Sequence, residues 1–428
     1  MLSDLGKKKI HKLPILYLRY PQLSVQILLM SEKKEKIKQS DLQGFKYFKV
    51  LSQLLERLHN AGCQRDRAGN RTLHMDQYMT LLLLCMFSPI SKSLRSMQQA
   101  SELKKVQRKL RVPRSSLGSL SEAARVFDSN LLIEIIGELV SELKPIPHSA
   151  RLGDIKAILT IVDGTLLRAL PKTVDALWGD RTANAVKAHV QYELLKSVPV
   201  KFQLTDSRGS EKAVLAQNLE SGRFYVLDRG YAKYELLQQI IDAESDFACR
   251  INDDSVLKII EERQLGSDSL QAGICRDMIV ELGSEPVRDC FKQPVRVIRL
   301  KTIERTQYSA HTLPYRGKKP PETMLICTNR FDLPADVITL IYKCRWQIEI
   351  FFRFFKHILG CRHLLSYCDN GIELQIYAAI IACLLIALYT GRKPTLRTYE
   401  MFCWYLTGWA DEEELFAHIE RLKKQTTD

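Results

Sequence analysis

The chain has 428 residues, 26% of them charged and 46% hydrophobic, which is long enough for roughly two or three globular domains. Its 11 cysteines follow no regular spacing, which excludes a disulfide-stapled scaffold and indicates reduced thiols in a cytoplasmic protein. The net charge of +14 is uneven: residues 1–150 hold 25 Lys and Arg against 13 Asp and Glu, and the remainder holds 38 against 36. Such a basic end suits a region that neutralises nucleic-acid phosphates, although a solvated basic surface gives the same count.

The basic region, residues 1–150, predicts mainly helices. Met75–Phe87 is strongly apolar, and Ser101–Arg111 is a basic amphipathic stretch. Ser119-Leu-Ser-Glu122 is similar to a capping box and predicts the start of the next helix there. Several short helices with a basic excess predict a DNA-binding region, although no single helix-turn-helix can be assigned. A pair of prolines just before residue 150 marks its end.

After residue 150 the pattern changes to short apolar, β-branched runs. The predicted strands are Ala157–Val162, Ala188–Leu195, Val198–Thr205, Arg223–Leu227 and Asp246–Ile251. Strands that are first paired and then alternate with helices predict a mixed α/β sheet over residues 151–252. We interpret the strand-rich segment 253–328 as an insertion, after which the same core resumes over 329–400.

The C-terminal third predicts helices, with a helical tail over 401–428. Pro334 predicts the start of one long helix that ends at Gly360. Leu374–Gly391 is nearly all apolar and approaches membrane-spanning length, but it stands alone in an otherwise soluble chain. We therefore expect a buried core helix, with a membrane span as the alternative.

Two aspartates share one sequence context. Asp163 and Asp228 each follow an apolar run that predicts a strand, and each precedes a glycine within two positions. The carboxyl end of a strand is where an open α/β sheet presents polar chemistry, and paired carboxylates are ligands that Mg²⁺ prefers. The alternative for each aspartate is the start of a turn, a common role of Asp near Gly.

The predicted long helix places four polar side chains on one stripe. Tyr342, Arg345, Glu349 and Lys356 lie at angles of about 0°, −60°, −20° and −40° around a helix of 100° per residue. One carboxylate among three groups suited to phosphate contact is typical of DNA-strand chemistry. The alternative is a salt-bridged surface, since Arg345 and Glu349 are four residues apart. The aromatic residues on the other faces, Trp346 among them, are predicted to lie in the core.

These residues resemble a known family. The pattern Tyr342-x2-Arg345-x3-Glu349-x6-Lys356 is similar to the signature of the IS-four family of bacterial insertion-sequence transposases. Asp163 in IVDGT and Asp228 in YVLDRGY resemble the two catalytic aspartates of that family, and the resemblance covers roughly residues 115–400. It implies an RNase H-like catalytic domain with a β-rich insertion between the second Asp and the Glu, preceded by a helical DNA-binding region.

The resemblance also implies a mechanism. Asp163, Asp228 and Glu349 are the catalytic and metal-binding triad, with Asp163 bridging two Mg²⁺ ions and each of the others completing one; Mn²⁺ is an alternative metal. Water cleaves the transposon end, and the resulting 3′-hydroxyl attacks target DNA in a cut-and-paste reaction.

The implied partner is double-stranded DNA, both the terminal inverted repeats of the transposon and the target. Tyr342, Arg345 and Lys356 are the implied DNA-backbone contacts. Arg229 is another, unless it pairs with a carboxylate of the site. Pairing two transposon ends implies at least a dimer in the active complex, in the bacterial cytoplasm and away from membranes.

Two other functions fit the same residues. A metal-dependent nuclease uses such a triad without strand transfer, and a catalytically dead transposase derivative binds DNA alone. Among weaker site candidates, Asp206 favours a turn over a metal ligand, and His189 favours a packed strand position. Cys361, His363 and Cys368 lack the paired spacing of a zinc site.

Overall fold

The computed structural model describes most of the chain from residue 54 to residue 424. Within that span it describes every residue except 62–64, 67–68, 89–90, 92, 147–149, 154, 168–185, 207, 285–290, 292, 302–322, 360–364 and 367. The site residues predicted above all lie within the described part, whereas Gly360, Cys361 and His363 lie outside it.

Helices dominate both ends of the described chain, and strands dominate its middle. The helices are α1 Leu58–Ala61, α2 Met75–Met86, α3 Leu94–Glu102, α4 Lys104–Leu110, α5 Leu117–Val126, α6 Leu131–Glu142, α7 Ala150–Gly153, α8 Glu211–Ala216, α9 Tyr234–Asp242, α10 Ser267–Gln271, α11 Ala335–Lys343, α12 Trp346–Leu359, α13 Asp369–Thr390, α14 Leu396–Thr407 and α15 Glu412–Lys424. The strands are β1 Ile158–Leu167, β2 Val186–Glu193, β3 Val198–Asp206, β4 Arg223–Leu227, β5 Asp246–Ile251, β6 Leu257–Glu262, β7 Ile274–Leu282, β8 Val295–Lys301 and β9 Thr323–Thr328.

All nine described strands form one sheet in the order β3-β2-β1-β4-β5-β9-β8-β7-β6. The central strands β1, β4 and β5 run parallel, and the remaining pairs are antiparallel, which confirms the predicted mixed α/β sheet. Every residue of β4 is buried, as expected for a strand covered on both faces. Strands β6 to β9, from the predicted insertion, extend this same sheet, because β9 pairs with β5.

Helices cover both faces of the sheet. Val162 and Tyr225 belong to the core on one face, which is closed by Leu215 of α8 and Leu236 of α9. The opposite face packs against α12, and behind it lies α13, which also contacts the N-terminal helices α2, α5 and α6. The sheet is therefore the middle layer of the protein.

The apolar segment near the C-terminus is helix α13. The stretch Asn370–Thr390 is long and apolar enough to cross a bilayer, yet 94% of its apolar 18-residue window is buried inside the protein. A helix that is hydrophobic on all sides needs such an enclosed position. The prediction of a buried core helix is confirmed.

Strand β1 is longer than predicted. Asp163 is its sixth residue, because the chain continues as a strand to Leu167. The four residues after Asp163 pair antiparallel with β2, from Gly164↔His189 to Leu167↔Val186. The prediction that the strand ends at Asp163 is therefore wrong, because the pairing with β2 extends the strand beyond the apolar run.

The predicted long helix is also wrong in one respect, because it is two helices. A turn at Cys344 and Arg345 separates α11 from α12. There Arg345 donates its N–H to the Tyr342 carbonyl at 3.0 Å and Gln347 donates to the Cys344 carbonyl at 2.9 Å. These i→i−3 bonds tighten the chain as at a helix end. Neither Pro nor Gly marks the turn in the sequence.

The start of α5 lies one turn before the predicted capping box. Ser116 is the N-cap, and its side chain accepts the Ser119 N–H at 3.1 Å. Ser119 is thus an interior residue of the first turn. A run of several serines offers more than one possible cap, which is why the sequence pattern misplaced the start.

Candidate active site

The two aspartates come from neighbouring parallel strands, Asp163 from within β1 and Asp228 from the residue directly after β4. β1 and β4 pair from Ile158↔Arg223 to Ile161↔Val226. Continued two residues further, the same register brings Asp163 opposite Asp228, on strands spaced about 4.8 Å apart. β4 ends at Leu227, so this is the point at which β1 loses its parallel neighbour.

Asp163 is largely shielded from solvent, with 20% of its side chain exposed. Its Oδ1 accepts the N–H of Gly164 at 2.8 Å, and its Oδ2 lies 3.7 Å from Nη1 of Arg345. Burial raises the pKa of Asp163 to about 6. The Gly164 N–H and Arg345 oppose that shift, while the negative charges of Asp228 and Glu211 add to it.

Asp228 forms the turn that follows β4. Its Oδ1 accepts the N–H of Gly230 at 2.7 Å and so caps the 3₁₀ turn Arg229–Tyr231. A Cβ on Gly230 would lie 2.9 Å from that oxygen, so glycine permits the close approach. The turn geometry expected as an alternative is therefore present, in addition to the position beside Asp163. Arg229 is exposed and has no ion pair with any described residue.

Arg345 joins the sheet to helix α12. Its Nη2 donates to Oε1 of Glu349 at 2.7 Å, and its Nη1 faces Asp163. The salt-bridged pair Arg345 and Glu349, weighed above as an alternative, is present and extends to a third residue. Lys356 is partly buried and lies seven residues beyond Glu349, about two helical turns.

Tyr342 approaches the same group from α11. It is partly buried, and burial raises its pKa to about 12, opposed by the positive charges of Arg345 and Arg250. Asp228 lies near enough to act on the same hydroxyl. The four signature residues therefore do not share one helix, although Tyr342, Arg345 and Glu349 still converge near the two aspartates.

Sequence reasoning missed Arg250. It lies on β5, one strand beyond Asp228, and its charge acts on Tyr342. Its buried Nε has no hydrogen-bond partner within the described chain, and its Nη2 is 4.0 Å from Asp253. The available signal was a charged residue inside the predicted strand Asp246–Ile251, one position before its end.

A fourth carboxylate was also missed. Glu211, at the start of α8, forms an ion pair with Lys187 of β2 at 2.7 Å. A Cβ on Gly164 would lie 2.6 Å from Oε1 of Glu211, so the carboxylate occupies the space that glycine leaves beside β1. The glycine after Asp163 in the sequence was the hint to such a close approach.

The donor set suits a hard divalent cation, because Asp163, Asp228 and Glu349 offer carboxylate oxygens. In this structure the positive charge of Arg345 lies against two of these three carboxylates, those of Asp163 and Glu349. Within the described residues no cluster of three or more His, Cys, Asp or Glu has the geometry of a metal site.

The weaker candidates have structural roles in the described chain. Oδ1 of Asp206 accepts the N–H of Arg208 at 2.9 Å, which is a turn. His189 is buried, its Nε2 is 2.7 Å from Oγ1 of Thr205, and burial lowers its pKa to about 4. Trp346 is 45% exposed, so its predicted place in the core is wrong; it is the first residue of α12, directly after the unpredicted turn.

The sequence is similar to transposases. The family model described as "Transposase DDE domain" matches residues 155–385. A putative transposase, y4zB, of Sinorhizobium fredii is 28% identical over 239 residues, 54% of this chain and 61% of that protein, so the chain matches less than two thirds of this relative. A probable transposase for insertion sequence element IS5377 of Geobacillus stearothermophilus is 24% identical over 66% of this chain and 70% of its own length.

Among solved structures, the chain is similar to the cryo-EM structure of the piggyBac transposase synaptic complex with hairpin DNA. It is 10% identical and superposes with a TM-score of 0.40, covering 89% of this chain and 80% of that one. A TM-score of this size does not define a shared fold.

Proposed function

Because this chain belongs to the family of DDE insertion-sequence transposases, we propose that it cleaves DNA at the ends of an insertion sequence and joins those ends to target DNA. The signature of Tyr342, Arg345, Glu349 and Lys356 places it in the IS-four branch under this proposal. The reaction is cut-and-paste transposition, with the terminal inverted repeats and the target as DNA substrates.

The catalytic carboxylates in this proposal are Asp163, Asp228 and Glu349. The observation that carries it is the parallel register of β1 and β4, which continued by two residues brings Asp163 opposite Asp228, while Arg345 links Asp163 to Glu349. Three acidic groups from β1, the turn after β4 and α12 thereby face one region. Acidic groups gathered near one another in this way suit metal-assisted phosphoryl chemistry.

DDE transposases generally use divalent metal ions, and for this chain we propose two Mg²⁺ ions, with Mn²⁺ as a substitute. When bound, they supply Lewis-acid activation of the attacking and leaving oxygens. Asp163 must be ionised to contribute, which its raised pKa makes dependent on pH. Arg345 must give up its contacts with Asp163 and Glu349 in part, because the same oxygens are the proposed ligands.

The cations around the triad are the proposed DNA-backbone contacts. Arg345, freed from the carboxylates, can hold a phosphate through two parallel N–H donors. Tyr342 remains protonated at physiological pH and can donate its hydroxyl hydrogen. Lys356 and Arg229 extend the contact surface along α12 and beyond β4, and Arg250 adds a guanidinium from β5.

The proposed domain plan keeps the boundaries predicted from the sequence. Residues 151–252 and 329–400 form an RNase H-like catalytic core, with 253–328 as its β-rich insertion. Residues 1–150 bind DNA, and 401–428 form the tail. The active complex is at least a dimer that holds two transposon ends in the bacterial cytoplasm.

The test uses purified protein, a labelled duplex carrying the terminal inverted repeat and a target plasmid, with and without Mg²⁺. We expect Mg²⁺-dependent cleavage at the transposon end and a joined product. Asp163→Ala, Asp228→Ala and Glu349→Ala should each abolish cleavage and retain DNA binding. Glu235→Ala, an exposed carboxylate of α9, is the matched control and should cleave normally.

Each other result overturns a defined part of the proposal. Retained cleavage in one triad variant removes that residue from the triad. Cleavage without a joined product identifies a metal-dependent nuclease, and binding without cleavage identifies a catalytically dead derivative. Those are the two other functions that the sequence allowed.

A further inference from the structure

Helix α4 presents a group of cations on one side. At about 100° per residue its basic residues fall within an arc of roughly 140°. The exposed members are Lys104, Lys105, Arg108 and Lys109. Val106 is buried on the opposite side, and Leu110 is partly buried there. The helix therefore packs through its apolar side and turns its charge outward.

Within the part of the chain that the structure describes, acidic neighbours do not neutralise these cations. Neither the four lysines and arginines of α4 nor Arg111 forms an ion pair with any residue that the structure describes. The nearest acidic residue in the chain, Glu102, is instead 3.4 Å from Arg114. Five like charges within eight residues repel one another, and a polyanion would relieve that repulsion.

Arg111 adds a second, independent observation. It caps the C-terminus of α4 with φ 53° and ψ 37°, in the left-handed region that favours glycine. Its carbonyl accepts a hydrogen bond from Nε2 of Gln77 at 3.3 Å, a backbone contact that glycine would also make. An arginine in this strained position therefore indicates that the side chain has a use.

We propose that Lys104, Lys105, Arg108, Lys109 and Arg111 form a second DNA-contacting surface, separate from the candidate active site, that binds the phosphate backbone of duplex DNA. The helix is about 10 Å long, enough to follow roughly three phosphates of one strand. The inference takes DNA as the substrate, as in the proposed function, and assigns to this surface affinity without chemistry.

The experiment measures binding of the full-length protein to fluorescein-labelled duplexes by anisotropy, without divalent ions, between about 50 and 200 mM salt. The double variant Lys105→Gln/Lys109→Gln should reduce the slope of log K against log salt by about 1.8, because each lost phosphate contact removes about 0.9. Arg111→Gly should reduce it by about 0.9 while the Tm stays equal or rises, since glycine relieves the left-handed backbone. That combination separates a lost contact from a damaged fold.

Lys301→Gln is the matched control, because it removes one exposed charge that has no ion pair with any described residue, from β8 in the half of the sheet beyond β9, and it should leave the slope unchanged. Unchanged slopes in Arg111→Gly and in the double variant would overturn the proposal.

Two duplexes are compared, one with the terminal repeat and one scrambled. An equal loss on both is expected for backbone contact, and a loss confined to the terminal repeat would overturn it in favour of base reading. Because no divalent ion is present, a failure to cleave DNA does not affect this result.

Discussion

The cations of α4 and the arginine of the candidate active site have opposite surroundings. Four basic side chains of α4 and its C-cap Arg111 project outward without an acidic partner in the described chain, whereas Arg345 lies between Asp163 and Glu349. The first group can bind a phosphate backbone by releasing small counterions, with no rearrangement of the protein. Arg345 can bind a phosphate only by exchanging one anionic partner for another. Under the two proposals, α4 can bind DNA in the free protein without rearrangement, whereas the candidate active site has to be opened first.

The largest expected effect tests that exchange. Arg345→Gln should reduce DNA cleavage by roughly 10²-fold, the size of effect seen when one preorganised donor is lost from a reacting centre. Metal affinity should rise in the same variant, because a competing positive charge beside Asp163 and Glu349 is gone. Cleavage assays and calorimetric Mn²⁺ titration measure the two. Arg353→Gln, an exposed arginine of α12, is the control; weaker Mn²⁺ binding in Arg345→Gln would show that Arg345 supports the carboxylates instead of competing with metal.

The next effect concerns the close packing behind the site. Gly164→Ala should lower the free energy of unfolding by about 1–3 kcal/mol, because its Cβ would meet the Glu211 carboxylate that Lys187 holds in place. Chemical denaturation gives the value. In a Glu211→Ala background, Gly164→Ala should lower the free energy of unfolding by much less. An equal cost in both backgrounds would mean that the clash lies elsewhere.

The pH dependence of metal binding should be a smaller effect than the two above. Burial raises the pKa of Asp163 to about 6, so the carboxyl is protonated in most molecules at pH 5 and ionised in most at pH 7. Mn²⁺ affinity should therefore fall about tenfold from pH 7 to pH 5, with proton uptake on metal release. The linked stability has the opposite sign: the native state holds this proton more tightly, so its contribution is present below about pH 4 and lost as pH rises through about 6. A flat Mn²⁺ affinity over that range would contradict the assignment of Asp163.

The smallest effect separates paired from unpaired surface cations. Arg114 is close to α4 but lies 3.4 Å from Glu102, so Arg114→Gln should reduce the salt slope of DNA binding by much less than 0.9. Its unfolding free energy should change by less than about 1 kcal/mol, as for other exposed ion pairs. Anisotropy and denaturation measure both. If Arg114→Gln reduced the salt slope by a full unit, ion pairing would not distinguish Arg114 from the cations of α4.

Local patterns predicted the sheet and the general position of the site. The apolar runs before Asp163 and Asp228 formed strands, and the spacing of Arg345 and Glu349 brought both to one helix end. The sequence could not show that β2 prolongs β1 past Asp163, because that depends on a partner more than twenty residues away. The catalytic roles themselves stay predictions.

Sequence patterns could not predict the features that arise from tertiary contacts. The turn between α11 and α12 has no Pro or Gly, so helical periodicity ran through it and misplaced Trp346. Arg250 and Glu211 come from elements that periodicity treats as ordinary strand and helix, and their nearness to the aspartates arises from the folded sheet. The shielding that raises the pKa of Asp163 has the same origin.

The enclosure of α13 has a consequence for how the chain can be divided. This helix shares one core with α2, α5 and α6, and Asn370 at its start donates to the carbonyls of Ala124 and Phe127. A fragment cut at residue 150 would leave one side of a 22-residue apolar helix without its covering. We expect such a fragment to aggregate, so the proposed DNA-binding region and the candidate active site should fold together and not as two separately expressed pieces.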